Sequence, residues 1–443
     1  MSNPKKHLSF TSLRQVFSNY LHGLEDERQI SKCEHELHDV VMSAFACMYF
    51  QEPSLLAHQK RLEDKQHNNN IRTLFDVKTL PSDSQIRRII DEISTDLFSS
   101  IFQEILGRLQ RGKHLEQYQL FPGRYLCAID GTQFFSSKEI SCEHCLQRKH
   151  TKNKSEITYS HQAVQAAIVH PDCKQVLPIM PEEVRNEDGS DKQDCEVNAA
   201  KRLIKKLRGQ HRQLDLIVIA DSIFSKQPFI ETLKQHRISY ILVAKPGDHI
   251  FLMDWIDKIS LKNDCYTDEK GHTHRYEWIN NVSLNSRKDS LCVNYLHYYL
   301  DAPQKDGSIK TTYQCSWVTD MTIGLHNIKT LVKAGRCRWK IENECFNTLK
   351  NQGYHIEHNY GHGQKNLCFN FYLLTLLSFF FHQVLELTDK AFRDARAKLG
   401  TLRELWETLR QAIKWFIFEC WEGLLHFAYN HRDYHITHQL QPP

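Results

Sequence analysis

Apolar residues recur every three or four positions over residues 37–50 (LHDVVMSAFACMYF) and again over residues 86–109. This spacing predicts helices in a region running to about residue 120, with a loop in the polar stretch 59–70 between them. The texture changes at Pro122. Residues 124–135 (RYLCAIDGTQFF), 161–170 (HQAVQAAIVH) and 174–180 (KQVLPIM) read as strands. Residues 214–219 (LDLIVI) and 238–244 (ISYILVA) are continuous β-branched runs, expected of strands buried on both faces. Between the strands, residues 194–207 read as a basic amphipathic helix and 228–236 as a short one. Strands alternating with helices predict an α/β fold with a mixed sheet. Over residues 250–312 aromatic and polar positions alternate (YEWI, LCVNYLHYYL, TTYQCSWVT) between the turn signals Lys270-Gly271 and Asp306-Gly307, which predicts an antiparallel β-rich insertion. Helical spacing returns at Ile328 and runs to the end, with a loose tail expected after about His431.

A chain of 443 residues predicts two or three units rather than one compact domain. The 41% hydrophobic and 25% charged content is that of a globular protein, and a net charge of +4 says little about partners by itself. The start, MSNPKKHLSF, lacks the apolar core of a secretory signal, so the 14 cysteines are expected to be reduced and cytoplasmic. The most apolar stretch, 367–387, carries Asn370, Ser378, His382 and Glu386, and its unbroken apolar run of about 10 residues fits a core helix rather than a membrane span.

Two aspartates end apolar runs: Asp130 after YLCAI and Asp221 after LIVIA. In an open α/β sheet, ligands bind beyond the carboxyl ends of the strands, which would bring both to one site. A turn or helix-capping role would equally explain either alone. The third candidate lies in RCRWKIENECFNTLK, residues 336–350. On a wheel of 100° per residue, Ile341, Cys345, Leu349, Phe346 and Trp339 form an apolar stripe. Glu342 falls inside that stripe, and Glu344 falls among Lys340, Asn347 and Asn351 on the solvated face. A carboxylate on a buried face requires a partner: a metal ion, or more plainly Arg338 one turn earlier. Three converging carboxylates repel one another unless cations lie between them. An all-oxygen set selects Mg²⁺ or Mn²⁺, and two such ions suit phosphoryl displacement.

DGT at Asp130, ADSIF at Asp221 and RWKIENECFNTLK around Glu342 resemble the transposase DDE domain of the IS-four-like insertion-sequence group, over roughly residues 120–385. The resemblance implies a ribonuclease-H-like mixed sheet flanked by helices, with the β-rich insertion between the second Asp and the Glu. It implies three regions: a helical DNA-binding region at 1–120, a DDE domain at 121–385 and a helical region at 386–443. It also implies a bacterial, chromosome-acting transposase that cuts transposon ends and transfers strands to target DNA, as a homodimer on DNA and with no membrane. Asp130, Asp221 and Glu342 would then be both catalytic residues and metal ligands. The group's pattern is Tyr, two residues, Arg, three residues, Glu, six residues, Lys, and its Tyr, Arg and Lys contact DNA phosphates. Arg338 and Glu342 keep the spacing. Gly335 stands in place of the Tyr, and Lys350 comes one residue late, which keeps Glu344 as a minor candidate.

Arg336, Arg338, Lys340 and Lys350 are the expected DNA contacts, with Lys333 beside them. A second basic group, Lys201, Arg202, Lys205, Lys206, Arg208 and Arg212, reads at least half as a solvated helix face. Of the aromatics Trp255, Trp278, Tyr295, Tyr298, Tyr299 and Trp317, most are expected in the core of the insertion, with one free to stack on a flipped base. In CEHCLQRKH, which also holds His144 and His150, Cys142 and Cys145 form half of a structural Zn²⁺ site, with Cys173, His161 and His170 as possible completions. A plain pair of reduced cysteines is the alternative. Other readings of the chain are a ribonuclease-H-like nuclease or resolvase, a transposase-derived DNA-binding protein that no longer cuts, and a zinc-containing structural protein.

Overall fold

The computed structural model describes residues 7–26, 28, 33–62, 69–149, 156–185, 193–304, 306, 308–357 and 360–430. The expected loose tail after His431, residues 63–68 of the expected 59–70 loop and His150 lie outside the described residues, and 59–62 of that loop are helical instead.

Six helices open the chain: α1 (Phe10–His22), α2 (Leu37–Tyr49), α3 (Leu55–Leu62), α4 (Asn70–Phe75), α5 (Asp83–Glu92) and α6 (Ser99–Arg111). Strands β1 (Gln119–Phe121), β2 (Arg124–Ser137), β3 (Leu146–Lys149), β4 (Ile157–Val169) and β5 (Leu177–Val184) follow. Next come α7 (Glu196–Gln210), β6 (Asp215–Ala220), α8 (Gln227–Gln235), β7 (Ser239–Val243) and α9 (Ile250–Ile256). A run of β8 (Lys262–Thr267), β9 (Thr273–Ser283), β10 (Cys292–Pro303) and β11 (Ile309–Thr319) leads into α10 (Ile328–Arg336). The chain closes with α11 (Asn347–Asn351), α12 (Leu367–Thr388), α13 (Lys390–Leu399), α14 (Leu402–Trp415) and α15 (Trp421–Asn430).

These elements form two compact units, neither continuous in sequence. The first comprises Met1–His114, Phe134–His161 and Asn347–Pro443; the second comprises Leu115–Gln133 and Gln162–Phe346. The helical regions at the two ends, expected as separate additions, therefore share one unit.

In that first unit α12 packs against α1, α2 and α5. Of its most apolar stretch, 89% is buried, so this helix, the one among the described residues long and apolar enough to cross a membrane, is a core element here. Its polar side chains are bonded inside the core. Asn370 donates to the carbonyls of Ile90 and Ile93 at 2.8 and 2.9 Å, His382 meets the Tyr354 hydroxyl at 2.6 Å, and Glu386 pairs with Arg396 at 2.6 Å. Aromatic rings fill the rest: Phe45 meets Phe381 at 5.0 Å and Phe10 meets Trp421 at 4.7 Å. The start of α12 is capped from another helix. The Asp91 carboxylate accepts from the backbone amides of Gln364, Lys365, Asn366 and Leu367 at 2.9–3.0 Å. Of these, the Asn366 and Leu367 amides belong to the helix start, which leaves its first amides without intrahelical partners.

The second unit is built on a large mixed sheet flanked by helices. β5 pairs antiparallel with β4, β4 neighbours β2, and β2, β6 and β7 run parallel. The β-rich segment is not a separate lobe. β11 pairs antiparallel with β7, and β10, β9 and β8 continue as a meander, so the same sheet runs on through it. Residues 250–256, expected to be strand, form α9. Trp278, Tyr295, Tyr298 and Trp317 are buried in this region, whereas Trp255 is exposed.

Candidate active site

β2 and β6 are parallel neighbours whose registered pairs end at Ile129 with Ala220. The next residues are Asp130, still within β2, and Asp221, just past the end of β6 in extended backbone. Side chains at equivalent positions of adjacent parallel strands point to the same face, so the pairing itself sets the two carboxylates together. Asp130 is held by the Gly131 amide at 2.9 Å and Asp221 by the Lys245 ammonium at 2.9 Å.

The third acid comes from the segment after α10. Arg338 Nη1 lies 2.6 Å from Glu342 Oε1 and 3.2 Å from Asp130 Oδ2, so those two oxygens share one donor nitrogen. Asp221 also lies within the electrostatic reach of this guanidinium. Arg338 thus bridges Asp130 and Glu342, and its charge is felt at Asp221. Burial pushes the Asp130 carboxyl up to about 7, against the pull of Arg338 and with the charge of Glu342 adding to the rise. Burial acts the same way on Asp221, but the Lys245 hydrogen bond, the Ser222 amide and Arg338 outweigh it and hold that carboxyl below its ordinary value. The two aspartates therefore differ in proton affinity although their strand positions match.

Two residues at this site were not foreseen. Lys245 lies just past β7, at the carboxyl end of the third parallel strand, and the rule that singled out the two aspartates would have found it. Glu196, the first residue of α7, lies over Gly131: a Cβ there would come within 2.4 Å of its carboxylate. A side chain at 131 would therefore have to push that carboxylate, the far end of a flexible side chain, aside. Burial raises the Glu196 carboxyl.

The helical wheel fails in part, and the reason is local. The chain leaves the α-helix at residues 337–338 and forms a wide π-helical turn over Ile341–Phe346, so a constant 100° per residue no longer tracks the faces. Ile341, Cys345, Phe346 and Leu349 are buried as expected. Glu342, however, has a side chain 47% exposed, and Trp339 is exposed. Glu344 is less exposed than Glu342, the reverse of expectation. Lys340, placed on the solvated face and among the DNA contacts, is buried and donates to the Cys173 carbonyl at 2.8 Å.

Of the other expected DNA contacts, Arg336 is exposed with its guanidinium over the Tyr313 ring at 4.7 Å, and Lys350 belongs to the first unit, where it pairs with Glu357 at 2.7 Å. In the basic helix α7, Arg202 bonds Glu182 and Asp194, Lys206 bonds Glu182, and Arg208 donates to the carbonyls of His236 and Leu214. Half of that group is engaged within the fold. Gly335, in place of the pattern's Tyr, also has a steric cause. A Cβ there would lie 2.6 Å from the buried Trp317 ring.

In the first unit, Cys142, Cys145, His161 and His362 bring four ligand atoms within 4.8 Å of one another, a set able to hold a metal ion. The two cysteines and His161 were among the expected candidates. His362 was not, since no spacing rule reaches across 201 residues from His161. His144, His170 and Cys173 do not join this group.

Comparison with protein-family models gives no match for this chain, and comparison with curated proteins gives none.

Proposed function

We propose that this protein is a DDE-type DNA transposase that cuts at the ends of a mobile element and joins them to target DNA. The observation that carries this reading is that Arg338 bridges Asp130 and Glu342, while Asp221 follows the strand beside Asp130 and feels the same guanidinium charge. The sheet lends support. Its order β5-β4-β2-β6-β7, an antiparallel group followed by two parallel strands, suits a ribonuclease-H-like core with the first two acids at the ends of β2 and β6.

The donor set fits hard divalent cations. It offers carboxylate oxygens alone, and its three acids are already balanced by two displaceable cationic side chains, Arg338 and Lys245. Asp130, Asp221 and Glu342 would hold Mg²⁺ or Mn²⁺. Such ions supply a nucleophile from water or a DNA 3′-hydroxyl and stabilise the departing 3′ oxygen. Arg338 then has a second partner to take, a DNA phosphate, for which its planar fork is suited. Lys245, released from Asp221, is placed for another. Arg336 presents a further exposed cation on the same segment. DNA is thus the partner, and joining two ends calls for two copies of the chain on it.

The same ion pairs favour a second reading, a transposase-derived protein that binds DNA without cutting, in which Arg338 permanently neutralises Asp130 and Glu342. Nicking of supercoiled plasmid by the purified protein separates the two. The transposase reading expects Mg²⁺-dependent nicking that Asp221→Asn abolishes. DNA binding with no nicking in Mg²⁺ or Mn²⁺ leaves the second.

A further inference from the structure

Cys142 and Cys145 lie in the turn between β2 and β3, His161 lies in β4, and His362 lies before α12; all four belong to the first unit. Their ligand atoms are spaced closely and evenly. Sγ of Cys142 and Sγ of Cys145 are 3.8 Å apart. Nε2 of His161 is 3.5 Å from Cys142 Sγ and 3.4 Å from Cys145 Sγ, and Nε2 of His362 is 3.4 Å from Cys145 Sγ. The two Nε2 atoms are 3.3 Å apart.

A tetrahedral zinc ion fixes these separations in advance. With Zn–S of about 2.3 Å and Zn–N of about 2.05 Å, tetrahedral angles place sulfur from sulfur at about 3.8 Å, sulfur from nitrogen at about 3.6 Å and nitrogen from nitrogen at about 3.3 Å. The observed separations match each class within about 0.2 Å. A disulfide would require the two sulfurs at about 2.05 Å. Hydrogen bonding alone gives no reason for two imidazole nitrogens and two sulfurs to crowd around one point.

Tautomer and burial agree. His362 Nδ1 sits 2.8 Å from the Gly363 carbonyl, to which it can only donate, so in the neutral ring Nε2 carries the lone pair. Cys145, His161 and His362 are buried, and the rings of Phe134 and Phe135 pack against the imidazoles at 4.5–6.0 Å. Two thiolates and one Zn²⁺ sum to zero charge, which lowers the cost of burying them. The protein supplies all four ligands, so no coordination position is left open, the mark of a structural rather than a catalytic zinc.

We propose that Cys142, Cys145, His161 and His362 bind one structural Zn²⁺ that fastens the turn after β2 and the β4 strand to the segment leading into α12. This site shares no residue with the carboxylate cluster, and the assignment holds whether or not the protein cuts DNA. The segment carrying His362 is already anchored, since Asp91 bonds the amides of Gln364 to Leu367 just beyond it. The metal adds a second anchor to that segment.

The test is the metal content of the full chain, purified under reducing conditions without chelator. One zinc per chain is expected, and replacement by Co²⁺ should give the visible absorption of a tetrahedral two-thiolate site. His362→Ala should lose the zinc and lower the melting temperature by at least ~5 °C. His362→Cys should restore both, because a three-cysteine, one-histidine set also binds zinc. If His362→Ala does not fold, the Co²⁺ spectrum of the unaltered chain and the His362→Cys protein still decide. Absence of zinc together with failure to bind added Zn²⁺ or Co²⁺, iron in its place, a Cys142–Cys145 disulfide under reducing conditions, or stoichiometric zinc retained in His362→Ala would each overturn the assignment.

Discussion

Asp130 and Asp221 occupy equivalent positions on adjacent parallel strands, each one residue past the last registered pair, Ile129 and Ala220. Neighbouring strands are about 4.8 Å apart, so two carboxylates so placed on one face must share their counter-charge. Arg338 and Lys245 supply it here. If divalent ions replace them in the working enzyme, loss of any one acid removes several kcal/mol of transition-state stabilisation. About 4 kcal/mol corresponds to about a thousandfold in rate. Asp130→Asn, Asp221→Asn and Glu342→Gln should each lose at least that much Mg²⁺-dependent cleavage while keeping the wild-type circular dichroism spectrum. Glu344→Gln should keep its activity. Full activity in Glu342→Gln with loss in Glu344→Gln would move the third acid to Glu344.

Asp130 carries a pH dependence of definite sign. Burial raises its carboxyl to about 7, so without divalent ions the folded chain holds a proton there that the unfolded chain, with an ordinary value of about 4, has already released. Its contribution to stability is complete below about pH 4 and is lost as the pH rises through about 7. Metal binding must expel that proton. Titration calorimetry with Mn²⁺ at about pH 6, in buffers of different ionisation heat, should show proton release approaching one per site. At about pH 8 the release should vanish. Equal release at both pH values would contradict the assignment.

How much of this was legible in the sequence depended on the range of the signal. The strands carrying Asp130 and Asp221 announce themselves by apolar runs that end at an acid, and register then does the rest. Glu342 could be named but not placed. Its exposure depends on a π turn that no periodicity in RWKIENECF reveals, and the regular wheel put Glu342, Trp339 and Lys340 on the wrong faces. His362 was invisible because its partners, Cys142, Cys145 and His161, lie some two hundred residues away. The sharing of one unit by the N- and C-terminal helices is likewise a long-range fact, since α12 and α2 each show only an apolar face waiting for a partner.

Gly335 and Trp317 give a packing prediction. A methyl group at 335 would fall 2.6 Å from the indole ring, which is 1% exposed and cannot move outward freely. Overpacking of this kind costs about 1–3 kcal/mol, more than the ~1 kcal/mol that Ala gains over Gly in a helix at the upper part of that range. Gly335→Ala should lower the urea midpoint, and Trp317→Phe in the same chain should recover part of the loss. A midpoint equal to or above wild type for Gly335→Ala alone would show that the ring yields.

The Lys245–Asp221 pair is half exposed on the lysine side, where an ion pair contributes about 0–1 kcal/mol. Lys245→Met should therefore unfold within ~1 kcal/mol of wild type in urea. It should bind Mn²⁺ more tightly, because no ammonium has to leave Asp221 first. Weaker Mn²⁺ binding in this variant would mean that Lys245 positions Asp221 for the metal rather than competing with it.

The central claim is that Asp130, Asp221 and Glu342 act together on a DNA phosphodiester. The most direct measurement is cleavage of labelled DNA carrying the sequences that flank the gene, in Mg²⁺ or in EDTA, by wild type and by Asp221→Asn. Strand breaks with a free 3′-hydroxyl are expected at the element boundary, in Mg²⁺ and wild type only. Breaks that persist in EDTA or in Asp221→Asn, or bound DNA left uncut in both metals, would contradict the claim.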